Sequence, residues 1–211
     1  MRICTVEGCN EKHRSKGYCK RHYEQFRILG KIVPTRFDPT KIIEIDEKTI
    51  GIVLRDNNGE QRAIALVDAD KRHVVEKHKW FVNDQGYVGT NLNGTTRKLH
   101  SFILESKDGI DHINHDTLDN RVQNLRPCSH SQNMMNRKIF KKNKHGVTGV
   151  YLYRGRRWYS VIKANKKLYH LGYFDTKDDA IRARVQAEIK YFGEFAPQVD
   201  KYKHLLEGVA I

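Results

Sequence analysis

No stretch of this 211-residue chain approaches the roughly 18 apolar residues of a membrane-spanning helix, and its first residues, MRICTVEGC, hold no signal-type apolar run. The expectation is a cytoplasmic protein with no membrane partner. Apolar side chains are scarce at 38%, so several small modules are expected rather than one large core. One sign of charge is missing locally. From Asn120 to Phe174 there is no Asp or Glu, while Arg121, Arg126, Arg137, Lys138, Lys141, Lys142, Lys144, Arg154, Arg156, Arg157, Lys163, Lys166 and Lys167 stand there. That segment carries nearly all of the net charge of +14. A solvated basic face or acidic lipid would use the same charge, but no basic helix with a large apolar face is visible. Double-stranded DNA is the partner expected, because neutralising its phosphates releases condensed counterions. Nothing points to a small-molecule substrate.

Cysteines number only four, and three fall within the first 19 residues. In a reducing compartment such clustering suggests metal before disulfide. Cys4, Cys9, Cys19 and His22 give CxxxxC, nine residues, then CxxH. Cys19 and His22 can point from one helical turn, and three thiolates with an imidazole suit a closed tetrahedral Zn2+ site. Such a site folds a piece that has almost no core of its own. Free thiols in a loose tail are the alternative, and His13 could replace one ligand. The segment resembles the small Cys3His zinc modules attached to phage nucleases.

Punctuation divides the rest. RHYEQFRILG reads as a short helix stopped by Gly30, and Pro34 and Pro39 mark a linker. KIIEIDEKTIGIVLRDNNGEQRAIALVD alternates apolar and polar residues about a DNNG turn, and NDQG and NLNG separate further short strands. Ser129 and Gln132 form a capping box opening a helix over about 130–141, followed by a hinge, KKNKHG. Three short strands are predicted in GVYLY, RWYSVIKA and KLYHLGYF. A helix then runs from Thr176 to about Phe192, closed by Gly193.

Chemistry concentrates in LHSFILESKDGIDHINHDTLDNRVQNLRPCSHSQNMMN. Asp111 and His112 would project from one strand of a hairpin whose first strand carries His100. With Asn133 in the first turn of the capped helix, a carboxylate and an amide carbonyl could share one ion. Oxygen ligands favour a hard cation, Mg2+ or Mn2+. His112 is the right kind of general base, and Asn124 is the candidate to orient it. The pattern LH, DHINHDxLDNRxxNLR and SxxN resembles the HNH endonucleases, in the branch of phage and intron homing enzymes. The resemblance is tight over about 97–137 and looser over the preceding β-rich region. It implies a ββα-metal fold, with His112 as general base and Asp111 and Asn133 as metal ligands. Asn124 would hold the loop and the His112 ring. The third motif position is Asn133 and not His, which this branch tolerates. Asn114, His115, Asp116, Asp119 and Asn120 are expected to hydrogen-bond or position phosphate, and His100 to be structural or to touch phosphate.

The last segment resembles the DNA-binding domain of plant ethylene-response factors, through Gly149-Val150, Trp158, Ile162, Leu171-Gly172, Phe174-Asp175-Thr176 and the helix with Ala180, Ala183 and Ala187. This implies a three-stranded sheet under one helix, its other face in a DNA groove. Strand alternation points Tyr151, Tyr153, Lys163 and His170 outward. Arg154, Arg156 and Arg157 fall at one turn and Lys166 and Lys167 at the other. Arginine there could take guanine bidentately. Tyr151 and Tyr153 stand where the plant family places base-reading arginines, so its target cannot be borrowed. Arg137, Lys138, Lys141, Lys142 and Lys144 would touch phosphate between modules.

The chain therefore reads as α+β and modular: a zinc module over 1–30, a β-rich region with a nuclease over 41–140, a DNA reader over 144–196 and a tail over 197–211. The activity expected is single-metal nicking of one strand by a monomer, in the manner of homing enzymes. If the gene is a phage's, the compartment is a bacterial host's cytoplasm. A rival from another class is a non-catalytic, sequence-specific DNA-binding regulator that keeps the nuclease fold as a scaffold; intact Asp111, His112 and Asn133 argue against it. An RNA-binding protein would use the same charge, but the aromatic stacking motif of common RNA modules is not evident in the sequence.

Overall fold

Apolar residues alternate as Ile50, Ile52 and Leu54, and again as Ala65 and Val67, so a strand pair with one wholly buried face follows. The structure, a computed structural model, describes residues 2–35, 38, 40–56, 58–106, 108–136 and 143–206. It forms two compact units, residues 1–127 and 128–211.

In the first unit, helix α1 (Lys20–Leu29) ends at Gly30, whose φ of 67° is the left-handed C-cap anticipated from sequence. Strands β1 (Lys41–Glu44), β2 (Thr49–Arg55) and β3 (Gln61–Asp68) then form an antiparallel sheet in chain order. A short helix, α2 (Arg72–Val75), leads to a second antiparallel sheet of β4 (Phe81–Val82), β5 (Val88–Leu92) and β6 (Thr95–Lys98). Trp80 lies between them, fully buried, donating its indole N–H to Val75 O at 2.7 Å and meeting Phe102 edge-on.

His100 departs from expectation. It sits on helix α3 (Leu99–Ile103) and not on a strand. Leu99 and Ile103, four apart, both turn into the core around Trp80, and that helical spacing outweighs the strand-like look of the segment. The hairpin that carries Asp111 and His112 is instead β7 (Ile110–His112) with β8 (Leu125–Pro127).

The second unit opens with α4 (His130–Met135), on which the predicted capping box is complete. The helix ends at Met135, where Asn136 is its C-cap at φ −81° and ψ 44°, short of the expected 141; residues 137–141 lie outside the described ones. Strands β9 (Val150–Tyr153), β10 (Arg157–Ala164) and β11 (Lys167–Phe174) form an antiparallel sheet with β10 central. Helix α5 (Lys177–Phe192) packs Ala180, Ile181 and Val185 with Val147 and Val150. Small residues let it lie close to the sheet.

A buried ion pair ties these pieces together. Arg184 donates to Glu188 Oε1 at 2.9 Å and to Val161 O at 2.6 Å, and Gln198 donates to the same carboxylate at 2.6 Å. Burial pushes the Glu188 pKa up, and Arg184 and Gln198 oppose that rise. Arg184→Met leaves the carboxylate buried without its cation, so the second unit should lose about 3–5 kcal/mol, read as a fall in denaturation midpoint.

Candidate active site and metal centre

Three-residue strands such as β7 and β8 cannot by themselves hold the loop between them. Loop 113–124 is fixed from outside. Leu66 on β3 donates its N–H to Leu118 O and accepts from Asn120 N–H, each at 2.8 Å. Val122 N–H donates to Asp68 Oδ2 at 2.7 Å, and the Thr117 hydroxyl donates to Gly86 O at 2.7 Å. Within the loop, Asn124 accepts from Asn114 N–H at 2.9 Å and donates to Asp119 O at 2.8 Å. Asp119 receives a bidentate fork from Arg121 at 2.8 and 2.8 Å.

His112 follows from this clamp. Its ring is buried, with Nε2 3.4 Å from Asn120 Oδ1. Both the loop and the ring were expected to fall to Asn124; the geometry divides the work. Asn124 engages loop backbone at both ends of its amide, and Asn120 meets the imidazole. Acceptance by Asn120 favours the tautomer protonated on Nε2, in which Nδ1 carries the basic lone pair. Burial lowers the His112 pKa against the upward pull of Asn120 and the carboxylates of Asp111, Asp116 and Asp119, so the ring is neutral near pH 7.

His100 lies edge-on to His112 with ring centroids 5.1 Å apart. Burial first, then the neighbouring His112, push its pKa down to about 3. Tyr87 completes the group, 5.7 Å from His100 and 6.0 Å from His112, with the Lys98 ammonium 4.1 Å over its ring. Tyr87 was missed from sequence because only sheet pairing brings it here.

Asp111 is buried opposite Arg126 across the hairpin. Arg126 Nε and Nη2 both donate to Asp111 Oδ2, at 2.9 and 2.7 Å. Arg126 was not singled out as a site residue, since the pairing depends on register. The carboxylate fits a hard cation, which would share it with the guanidinium. Among the described residues, the only convergence of three or more His, Cys, Asp or Glu ligand atoms lies at the N-terminus. An ion at Asp111 would therefore complete its shell with amide, water or phosphate oxygens, as Mg2+ readily does. Asn133 belongs to the second unit, on α4.

The N-terminal convergence is the predicted one. Ligand atoms of Cys4, Cys9, Cys19 and His22 all lie within 4.8 Å of one another, and all four residues are buried; His13 stands outside the group. Sulfur atoms of Cys9 and Cys19 are 3.9 Å apart, and His22 Nδ1 is 3.2 and 3.5 Å from Cys4 and Cys19. Bonds of roughly 2.3 Å to sulfur and 2.0 Å to nitrogen require tetrahedral edges of about 3.8 and 3.5 Å, so the donor set fits zinc. Burial alone would raise the Cys4 thiol, but backbone N–H groups and His22 bring it to about 6. His22 Nε2 meets Asp38 Oδ1 at 3.0 Å, an outer carboxylate that fixes the ring.

Of the proposed DNA contacts, Arg137, Lys138, Lys141 and Lys142 lie outside the described residues. Lys144, Tyr151, Tyr153, Arg154, Arg156, Arg157, Lys163, Lys166, Lys167 and His170 are all exposed. No described helix is long and apolar enough to cross a membrane.

The family described as HNH endonuclease matches residues 99–135. An uncharacterized HNH endonuclease of Acanthamoeba polyphaga mimivirus is 32% identical over 139 residues, 63% of this chain and 72% of that protein. No solved structure matches the chain.

Protein purified without chelator should contain zinc by elemental analysis, and Cys19→Ser should lose it. Asp38→Ala should weaken zinc about 10- to 100-fold in competition with a chromophoric chelator.

Proposed function

The chain belongs to the HNH endonuclease family, and from that premise we propose a homing-type nuclease that nicks duplex DNA, with His112 as general base and a single Mg2+ or Mn2+ at Asp111. The observation that carries this reading is a buried imidazole next to a buried carboxylate at one strand end, beside a loop clamped at Leu66 and Asn124.

His112 accepts a proton from water as the oxygen attacks phosphorus in line with the departing 3′ oxygen. Asn120 holds the ring through Nε2, and the dry wall of His100 and Tyr87 keeps it neutral. Arg126 fixes the direction of the Asp111 carboxylate. A divalent ion bound at Asp111 would supply charge neutralisation at the scissile phosphate and the leaving oxygen. The family pattern names Asn133 as its second ligand, a role carried by the sequence alone. One base and one ion serve one strand at a time, which favours nicking by a monomer. Zinc at Cys4, Cys9, Cys19 and His22 is structural in this reading. The second unit, like the ethylene-response-factor domain it resembles, holds duplex DNA through its sheet, a role supported by its exposed cations.

Supercoiled plasmid should give nicked circles before linear product when Mg2+ is added. His112→Ala should slow this at least about 100-fold, the ordinary weight of a general base, with DNA affinity unchanged. Wild-type cleavage by that variant sinks the assignment, and binding without cleavage on every substrate favours the regulator.

A further inference from the structure

The open face of the second unit's sheet carries rings where a DNA reader would more commonly carry forked polar groups. Cross-strand register aligns Tyr151, Tyr159 and Tyr173 in one row across β9, β10 and β11, with His170 beside them. Tyr151 stacks on Tyr159 with centroids 5.2 Å apart, and Tyr159 lies parallel to His170 at 5.8 Å. Tyr173 touches both Tyr159, at 6.0 Å, and His170, at 4.8 Å. Even so packed, Tyr151 and Tyr173 remain 43% and 48% exposed. A contiguous exposed aromatic patch of this kind marks a contact surface.

Its occupant is set by what surrounds it and by what it lacks. Arg154, Arg156, Lys166 and Lys167 stand at the turns at its two ends, placed for phosphate. The three strands contain no Asn or Gln, and their one arginine, Arg157, is ion-paired with Asp175 at 3.0 Å. The bidentate partners of adenine are therefore absent; of those for guanine, Arg157 is ion-paired and Lys163 stands four residues beyond Tyr159, toward the β10–β11 turn and away from the tyrosine row. Among major-groove features, the hydrocarbon part of a tyrosine ring can still distinguish the thymine C5-methyl group, beside whatever its hydroxyl bonds. The rings also rest on one another, so their faces are partly occupied and their edges project. That suits contact with groove atoms better than stacking of unpaired bases, and rigid tyrosines make such contact at low entropic cost.

We propose that the Tyr151–Tyr159–Tyr173 row reads C5-methyl groups in the major groove, giving the protein a preference for thymine-bearing duplex. This rests on the reading of the second unit as a holder of duplex DNA.

The test is equilibrium binding of the full chain, with no added Mg2+, to labelled 20-base-pair duplexes. One is A·T; a second has every thymine replaced by deoxyuridine; a third is G·C, with and without 5-methylcytosine. Thymine duplex should bind at least about fourfold tighter than its uracil counterpart, the weight of one methyl-sized group removed from water. Methylated G·C should likewise exceed unmethylated. Tyr151→Ser and Tyr173→Ser, both at exposed positions, should bring these ratios toward one while duplex binding persists. Equal affinity for thymine and uracil duplexes overturns the methyl reading and leaves the duplex reading standing. Tighter binding of single-stranded oligo-dT than of duplex also overturns it, assigning the rings to unpaired bases. Absence of all duplex binding removes the duplex reading, and the proposal with it.

Discussion

Two backbone hydrogen bonds at Leu66, one given to Leu118 and one taken from Asn120, join loop 113–124 to the first sheet, and the first unit is arranged around that join. Strands β7 and β8 are too short to specify the loop's path. The long β2–β3 pair, with Ile50, Ile52 and Leu54 buried, is rigid enough to do so. Asp68, at the end of β3, takes Val122 N–H, and the turn at Gly86 takes the Thr117 hydroxyl. The β-rich region that precedes the motif is thus its scaffold.

Dryness does for His112 what charge does for Asp111. Helix α3 and Tyr87 exclude water from the two imidazoles, and burial keeps both neutral near pH 7. Asp111 is equally buried but ionic, and Arg126 compensates it across the hairpin. The N-terminal centre uses opposite chemistry. Its donors are soft and already converge, whereas an ion at Asp111 would find one hard donor and would complete its shell with amide, water or substrate.

The second unit separates its two polar tasks by face. Beneath the sheet, Arg184, Glu188 and Gln198 satisfy one another and lock α5 to the bulge at Val161. On the other face, no buried network constrains the side chains, and rings pack on rings. Sterics set the inner face and an external partner can set the outer one.

Much of this was legible in residue order. Gly30, the Ser129–Gln132 box, the NDQG and NLNG turns and the three strands before Thr176 are local features, fixed by backbone preferences within a few residues. The Cys4, Cys9, Cys19 and His22 set was legible because thiolates cluster so rarely without a metal. His100 was misplaced because a five-residue segment with three apolar residues fits strand or helix equally well until Leu99 and Ile103 find Trp80. Sequence by itself thus determined most of the elements, the donor types and the adjacent Asp111–His112 pair, since each depends on near neighbours. Tertiary structure alone decided that Asn120 rather than Asn124 meets the imidazole, that Arg126 faces Asp111 and that Tyr87 closes the site. Those contacts depend on strand register and loop seating, which are set by residues dozens of positions away.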